Sequence, residues 1–270
     1  MTKIIAEIGW NHMGDLKLAK KMFLKAKKNG ADLVKIQIFN VERLTKGSWD
    51  KDGRRQIYEK AQINNIKKLK ALSSYCGKIK IPFFASVFSK EDADLLAKVQ
   101  KKLVKIASSE SRNYDLIKYC SKIFKHLIIS TGTSKFSEIK KISKILPKKK
   151  YTLLHCISSY PCEEKFTNFP KISYLKKISK DVGFSDHTIG IDISILSLEH
   201  DPAYIEKHFT TDRSLPGRDN KFAILPDQLF KLSEMIKKKQ LVNKFKGLDF
   251  QKCEKQTRKE YFKRWDRHNL

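Results

Sequence analysis

The chain has 270 residues and a formal net charge of +28, because 57 Lys and Arg residues stand against 29 Asp and Glu residues. A hydrophobic fraction of 40% excludes wholesale disorder, and the length fits one large domain or two small ones. A secreted or membrane protein is not expected. The N-terminus has no charged and then apolar leader, and no apolar stretch reaches the roughly 18 residues of a membrane span.

The five cysteines are odd in number, scattered along the chain and never spaced as a C-x-x-C pair. This pattern predicts neither a disulfide framework nor a structural zinc site, and it indicates a reducing, cytoplasmic location.

The positive charge is carried mostly by lysine, since 48 of the 57 basic residues are Lys and 9 are Arg. Proteins that bind nucleic acids tend to concentrate charge on one stripe and to use Arg for bidentate contacts. Here the lysines lie in helix-like stretches, which favours solvated helix faces. We therefore expect no nucleic-acid partner.

Short apolar runs rich in β-formers alternate regularly with longer segments of helical period. The strands are predicted at Lys3–Ile8, Leu33–Ile38, Ile81–Phe88, Leu103–Ala107, His126–Ser130, Tyr151–Cys156, Val182–Ser185 and Ala203–His208. The helices are predicted at Leu16–Asn29, Ile57–Cys76, Lys90–Lys101, Tyr114–Phe124, Lys135–Leu146, Pro170–Lys180, Gly190–Glu199 and Pro226–Lys246. Asp15 and Asn113 suit helix caps, and Pro170 and Pro226 suit a first helical turn.

Eight strand–helix pairs within about 250 residues predict an α/β protein with a closed (β/α)8 TIM barrel. No G-x-G-x-x-G follows the first strand, so an open dinucleotide-binding sheet lacks its phosphate turn. The barrel domain is expected over residues 1–248, and residues 249–270 are expected to form a basic C-terminal helix or tail.

Polar or ionisable side chains close every predicted strand, on the face where a (β/α)8 barrel carries its active site. Lys35 and Lys105, surrounded by serines, would form a cradle for phosphate or carboxylate. His187 and His208 end adjacent strands and could bind a divalent metal. Glu7 and Asp219 are candidates for proton transfer or for holding substrate hydroxyls.

Each candidate also has a structural interpretation. A lysine at a strand end can simply pair with a neighbouring carboxylate, and a serine can cap the helix that follows. A single histidine is more often a hydrogen-bonded structural residue than a metal ligand. Their joint placement on one face of the barrel favours the functional interpretation.

The motifs at these strand ends resemble those of the N-acetylneuraminate (sialic acid) synthases, including the related legionaminic and pseudaminic acid synthases. The resemblance extends from about residue 3 to about residue 246. It rests on Glu7 to Gly14, Gly30-Ala31-Asp32 with Lys35 and Gln37, Ser130-Thr131-Gly132, Leu153 to Cys156 with Tyr160-Pro161, Ser185 to Thr188, and Glu206 to Phe209 with Pro216-Gly217 and Asp219.

The resemblance implies an enzyme that condenses phosphoenolpyruvate (PEP) with the open-chain aldehyde of an N-acylated hexosamine such as N-acetylmannosamine and releases phosphate. It implies a divalent metal, Mn²⁺ or Mg²⁺, on His187 and His208, and no organic cofactor. Glu7, Gln37, Tyr160 and Asp219 would contact the sugar or move protons. The phosphate and carboxylate of PEP would be bound by Lys35, Ser86, Lys105, Ser108, Ser130, Ser158 and Ser185.

The chain departs from the family pattern in four respects. Family members usually continue into a small antifreeze-like domain that reaches over the partner's active site in a dimer, and the expectation here is a barrel without it. A homodimer is still possible, but not one built by exchange of that domain. Ile36 replaces a common Phe, Arg218 precedes Asp219 where Pro is frequent, and the segment from Glu42 to Gln56 matches poorly.

Two other functions are considered. The first is a related PEP-dependent 3-deoxy-ulosonate-type synthase that takes another aldose; for a phosphorylated one, Lys51, Arg54 and Arg55 would offer a basic cluster. The second is a catalytically impaired barrel that binds polyanions or a protein partner through its basic surface, in a salt-sensitive manner.

Overall fold

Eight parallel strands form a closed barrel in sequence order, as expected for a (β/α)8 fold. The computed structural model describes residues 2–147, 150–262 and 264–265. The strands are β1 Lys3–Gly9, β2 Leu33–Ile38, β3 Phe83–Val87, β4 Leu103–Ile106, β5 His126–Ser130, β6 Tyr151–His155, β7 Asp181–Asp186 and β8 Tyr204–His208. Strand β1 pairs with both β2 and β8, which closes the barrel.

Ten α-helices are assigned among the described residues. They are α1 Leu16–Lys28, α2 Arg54–Ala61, α3 Ile66–Lys78, α4 Lys90–Ala97, α5 Tyr114–Ile123, α6 Phe136–Ile145, α7 Pro170–Lys176, α8 Asp192–Leu196, α9 Pro226–Val242 and α10 Lys255–Tyr261. Asp15 caps α1 by accepting from the backbone N–H groups of Lys17 and Leu18, and Asn113 caps α5. Pro170 and Pro226 stand in the first turns of α7 and α9, as predicted.

The single helix predicted over Ile57–Cys76 is wrong, because the structure forms two helices there. The chain becomes extended at Gln62, Ile63 is fully buried, and Asn65 accepts a hydrogen bond from the Lys67 N–H to start α3. An Asn side chain satisfies an N-terminal donor better than it fits a helix interior, which explains the break. The predicted helix over Gly190–Glu199 is also shorter, since α8 is followed by a 3₁₀ turn at Ser197–His200.

The outer hydrophobic core lies between the strands and the surrounding helices. In α1 it takes one face of the helix, with Ala19, Met22, Phe23 and Ala26 fully buried at the spacing of a single helical stripe. None of the helices in the described ranges is long and apolar enough to cross a membrane.

A second, smaller cluster fills the lower half of the barrel interior: Ile5, Leu33, Phe84, Ile128 and Leu154. Because alternate residues of a strand point to the same face, the residue two positions later also points inward, one layer closer to the C-terminal mouth. Those next positions are largely polar: Glu7, Lys35, Ser86 and Ser130 follow the first four of them. An apolar floor therefore supports a polar layer at the mouth.

Candidate active site

Every predicted site residue lies at the C-terminal end of a strand or in the loop that follows it. This is the face of a (β/α)8 barrel where active sites occur. Register places Glu7 opposite both Lys35 and His208, and it places Ser86 opposite both Gln37 and Lys105. Residues distant in sequence are thereby gathered around one opening.

Lys35 lies in the middle of the polar layer and is only 1% exposed. Its Nζ forms an ion pair with Glu7, donates a hydrogen bond of 2.9 Å to the Ser86 hydroxyl, and lies 3.7 Å from Glu206 Oε2. Burial lowers the pKa of Lys35 to about 7, with Lys105 adding to the effect and Glu206 opposing it. Lys35 can therefore gain or lose its charge near neutral pH.

Glu206 is a functional candidate that the sequence predictions missed. Its Oε1 accepts from Lys105 Nζ at 2.8 Å and from the Ser185 hydroxyl at 3.0 Å, and the residue is 4% exposed. Burial works to raise the pKa of this carboxyl, but Lys105 and Lys35 outweigh it and lower the pKa to about 2. The period of two along β8, which places Glu206 on the same face as His208, is the signal that could have found it.

Hydroxyl groups and a thiol surround Gly132, just beyond β5. The Ser108 hydroxyl lies 3.2 Å from the Cys156 sulfur, and the buried Ser158 hydroxyl has no hydrogen-bond partner among the described residues. A Cβ at Gly132 would lie 2.2 Å from Ser158 Oγ and 2.7 Å from Ser108 Oγ, so only glycine leaves this space. The structural interpretation of the serines as helix caps does not hold for Ser108, because Ala107 holds the cap position of the turn at Ser108–Glu110 and Asn113 caps α5.

His187 and His208 lie side by side with ring centroids 5.6 Å apart. The Nδ1 of His187 lies 2.7 Å from the carbonyl of Ile157, so the N–H is on Nδ1 and the Nε2 lone pair is left available. Burial lowers the pKa of His187 to about 4 and the pKa of His208 well below its usual value, so both rings are neutral at pH 7.

Two neutral imidazoles with an available lone pair fit a divalent metal. Across the ranges that the structure describes, no group of three or more His, Cys, Asp or Glu side chains is arranged to hold a metal ion. Water and substrate oxygens would therefore have to complete the coordination of a metal on these two histidines.

Asp219 connects His208 to the wall of the opening. Its Oδ2 accepts a hydrogen bond from Trp10 Nε1 and lies 3.4 Å from His208 Nδ1. Burial raises the pKa of Asp219 to about 6, and the Trp10 hydrogen bond opposes this rise. The Trp10 ring stacks on Tyr58 of α2 at 4.6 Å, which brings the segment after β2 to the mouth.

Aromatic rings also pack against the histidine pair. The Tyr160 ring lies 4.3 Å from the His187 ring and 5.9 Å from that of Phe222, a residue that the sequence predictions did not single out. Tyr160 is 45% exposed and can therefore meet a ligand that enters from solvent.

Gly9 shapes the space beside Glu7. It follows a register shift in β1 and has a φ of +54°, which favours glycine. A Cβ at this position would lie 3.1 Å from Glu7 Oε1 and 3.4 Å from Gln37 Nε2. Glycine here allows the carboxyl and the amide to converge, and Glu7 Oε1 is buried with no hydrogen bond among the described residues.

The loop that carries His187 is held by a second buried ion pair. Lys207 Nζ lies 2.9 Å from Asp186 Oδ2 and donates to the Thr188 carbonyl at 2.6 Å. Asp186 also accepts from the hydroxyls of Thr188 and Ser194. Strand β8 thus turns Glu206 and His208 inward and uses Lys207 on its other face to fix the neighbouring loop.

Two of the three basic residues suggested for a phosphorylated acceptor, Arg54 and Arg55, are paired within their own segment, whereas Lys51 is exposed. Arg54 binds Asp52 through several contacts of 2.6–2.9 Å and donates to the Ser48 hydroxyl. Arg55 pairs with Asp50 and also donates to the carbonyls of Val41 and Leu44. Both guanidinium groups are already engaged by their own segment.

Comparison with known proteins gives consistent results. The NeuB family model matches residues 22–247. N,N'-diacetyllegionaminic acid synthase of Campylobacter jejuni is 34% identical over 275 residues, covering 96% of this chain and 81% of that protein. N-acetylneuraminate-9-phosphate synthase of Drosophila melanogaster is 30% identical, covering 86% of this chain and 66% of that protein.

A solved structure agrees with these sequence matches. N-acetylneuraminic acid (sialic acid) synthetase from Leptospira borgpetersenii, crystallised in complex with citrate, superposes with a TM-score of 0.86 at 32% identity. The match covers 99% of this chain and 93% of that one.

The closed barrel carries buried lysines, clustered hydroxyls, paired imidazoles and an acid at its mouth, and together with its relatives this makes it a (β/α)8 enzyme of the transferase class that forms C–C bonds. The chain belongs to the NeuB family.

Proposed function

We propose that the protein condenses PEP with the open-chain aldehyde of an N-acylated hexosamine, such as N-acetylmannosamine or a diacetamido-trideoxyhexose, to give a nonulosonic acid and phosphate. The observation that carries this proposal is the buried layer of Lys35, Lys105 and serines beside a pair of neutral imidazoles. Family membership, and relatives named as synthases of legionaminic and sialic acids, support it.

PEP would bind at the donor end of the site, which we define as Lys35, Lys105, Glu206 and the serines Ser86, Ser108, Ser130, Ser158 and Ser185. The two ammonium groups and the hydroxyls supply hydrogen-bond donors for the phosphate and carboxylate oxygens. The free Ser158 hydroxyl and the open space at Gly132 support this assignment. Burial excludes water and strengthens each electrostatic contact.

The acceptor sugar would lie between the aromatic walls, with Trp10 and Tyr58 on one side and Tyr160 and Phe222 on the other. Gln37 and Glu7 would hold its hydroxyl groups. The methylene carbon of PEP attacks the aldehyde carbon, and the aldehyde oxygen takes up a proton. Water then adds at the phosphate-bearing carbon, and inorganic phosphate leaves as the tetrahedral intermediate collapses.

His187 and His208 would hold Mn²⁺ or Mg²⁺, which as a Lewis acid would polarise the aldehyde oxygen. The hydrogen bond from His187 Nδ1 to Ile157 fixes the tautomer that presents a lone pair on Nε2. Asp219, close to His208 and with a pKa of about 6, is placed to orient that ring or to exchange a proton with the sugar. No organic cofactor takes part in this reaction scheme.

The reaction supports a cytoplasmic location, where PEP is available. The proposed partners are small molecules rather than nucleic acid or membrane. The barrel domain is proposed to end near residue 248, and α10 belongs to the basic segment that follows.

Phosphate release tests the proposal directly. The protein is incubated with PEP and Mn²⁺, with and without N-acetylmannosamine or a diacetamido-trideoxyhexose. We expect release only when a sugar is present, together with a product that carries the three carbons of PEP. Exposed Lys70 of α3 provides a control: K70M should behave as wild type, whereas K105M should not. Failure of every such sugar to release phosphate would refute the proposal.

A further inference from the structure

The carboxyl group of Glu206 is the common partner of both lysines at the donor end. It accepts from Lys105 Nζ at 2.8 Å and lies 3.7 Å from Lys35 Nζ. Ser185 adds a third contact, at 3.0 Å. Three strands, β2, β4 and β7, thus present donors to one carboxylate on β8.

Burying these three charges together lowers the stability of the fold. A buried carboxylate between two ammonium groups loses the hydration of all three charges, and a well-packed apolar cluster is often at least as stable. The layer below shows that this barrel does build apolar clusters, since Ile5, Leu33, Phe84, Ile128 and Leu154 fill it. Stability alone therefore does not explain a charged triad at the mouth.

We propose that Glu206 is a positioning residue that fixes the Nζ atoms of Lys35 and Lys105 in place for the anionic donor substrate and serves as their shared counter-charge. This inference rests on the proposed use of PEP. Glu206 acts through the lysines, because its Oε1 accepts from Lys105 and Ser185 and its Oε2 faces Lys35 Nζ at 3.7 Å.

The charges around Lys35 make this role measurable. Lys35 faces the carboxyl groups of Glu7, Glu206 and Asp219, the ammonium group of Lys105, and the imidazole of His208. Its pKa is already lowered to about 7, and Glu206 is the largest influence that opposes the lowering. Loss of one nearby opposite charge shifts a pKa by about 1–3 units, so without Glu206 the protonated fraction of Lys35, already the minor one at pH 8, would fall by at least about tenfold.

Two substitutions separate charge from position. Glu206→Gln keeps the shape but removes the charge and points an amide N–H₂ at a lysine. Glu206→Asp keeps the charge but is one methylene too short to meet both lysines. Calorimetric titration with PEP in the presence of Mg²⁺, from pH 6 to pH 8, measures the effect without requiring turnover.

For E206Q we expect PEP affinity at pH 8 to fall by about tenfold or more, with substantial recovery at pH 6 as Lys35 regains its proton. For E206D we expect a fall of similar size that is nearly independent of pH. The matched control is Asp92→Asn. Asp92 is a buried carboxylate that pairs with Arg43 away from the donor end, so its loss should lower the melting temperature and leave PEP binding unchanged.

Unchanged PEP affinity of a folded E206Q at pH 8 would overturn the inference and leave the proposed function standing. If E206Q does not fold, the PEP affinity of E206D is the test, and an affinity equal to that of the wild type would overturn the inference. If the wild-type protein itself does not bind PEP, the proposed function fails, and the inference fails with it.

Discussion

The donor end and the rim on the acceptor side use charge in opposite ways. At the donor end, Lys35, Lys105 and Glu206 are 1%, 3% and 4% exposed and come from three different strands. The acceptor rim, which we define as residues 41–61, pairs Arg54 and Arg55 with aspartates from the same short segment. The Arg54 and Arg55 side chains remain 24% and 28% exposed.

This difference has energetic consequences. Buried charges depend on each other, because each has given up its hydration and removing one leaves another unpaired. Exposed ion pairs contribute at most about 1 kcal/mol and can be altered with little effect on folding. We therefore expect substitutions at the donor end to affect both stability and PEP binding, and substitutions at the rim to affect the choice of acceptor.

The largest effect is expected from Lys105→Met. The substitution keeps the bulk of the side chain but removes the 2.8 Å partner of Glu206, which should cost about 3–5 kcal/mol of unfolding free energy. Denaturant unfolding measures the loss, and PEP binding should also disappear. A stability within 1 kcal/mol of the K70M control would show that the buried pair is not energetically coupled.

The second-largest effect is expected at the histidine pair, His187 and His208. His187→Ala should weaken Mn²⁺ binding by at least about tenfold, as measured by electron paramagnetic resonance of free Mn²⁺, and condensation should fall in parallel. His200, which packs against Phe169 away from the mouth, provides the control substitution H200A. Equal Mn²⁺ affinity in H187A and wild type would contradict the assignment.

Much of this architecture could be predicted from the sequence, because it depends on local periodicity. All eight predicted strands are present, and the polar residues that close them lie around one mouth because parallel strands share a direction. The break at Gln62 to Asn65 was missed because the apolar spacing continues through it. The signal for the break is Asn65, whose side chain accepts a backbone hydrogen bond at a helix start and is less suited to a helix interior.

The location of each candidate residue at the mouth was predictable from the sequence, but the contacts among these residues were not. Glu206 was overlooked because its importance depends on Lys35 and Lys105, which are 171 and 101 positions away in the chain. Phe222 was overlooked for the same reason, since its neighbour Tyr160 lies in another loop. The structural interpretation of the lysines, pairing with carboxylates, is also correct in geometry and is compatible with a role in binding.

A smaller effect is expected in the pH dependence at the border of the two regions. With a pKa of about 6, Asp219 is ionised at pH 7 and becomes protonated as the pH falls below 6. If its carboxylate orients His208, kcat/KM should decrease on that acid side. The Trp10 hydrogen bond lowers this pKa, so Trp10→Phe should move the acid limb to higher pH. Asp219→Asn should abolish the limb, and an unchanged limb in D219N would assign it to another group.

The smallest effect is expected at the acceptor rim, in the preference between a free and a phosphorylated sugar. Arg54 is closed off by Asp52 and Ser48, so we expect the wild-type protein to prefer a free sugar over the same sugar carrying a phosphate ester. Asp52→Asn frees the guanidinium, and it should raise the relative kcat/KM for the phosphorylated acceptor by about two- to fivefold, the range expected from an exposed ion pair. Phosphate release with each acceptor measures this ratio.

Asp50→Asn is the matched control for this test. It also removes a carboxylate from an arginine of the rim, but Arg55 remains bound to the carbonyls of Val41 and Leu44 and should gain no affinity for phosphate. An equal gain in D50N and D52N would mean that net charge at the rim, rather than the Asp52–Arg54 pair, sets the preference. If the wild-type protein already favours the phosphorylated sugar, the phosphate of the acceptor binds at another part of the mouth. In either case the donor end should respond to none of these rim substitutions, because its lysines take their charge balance from Glu206 and Glu7.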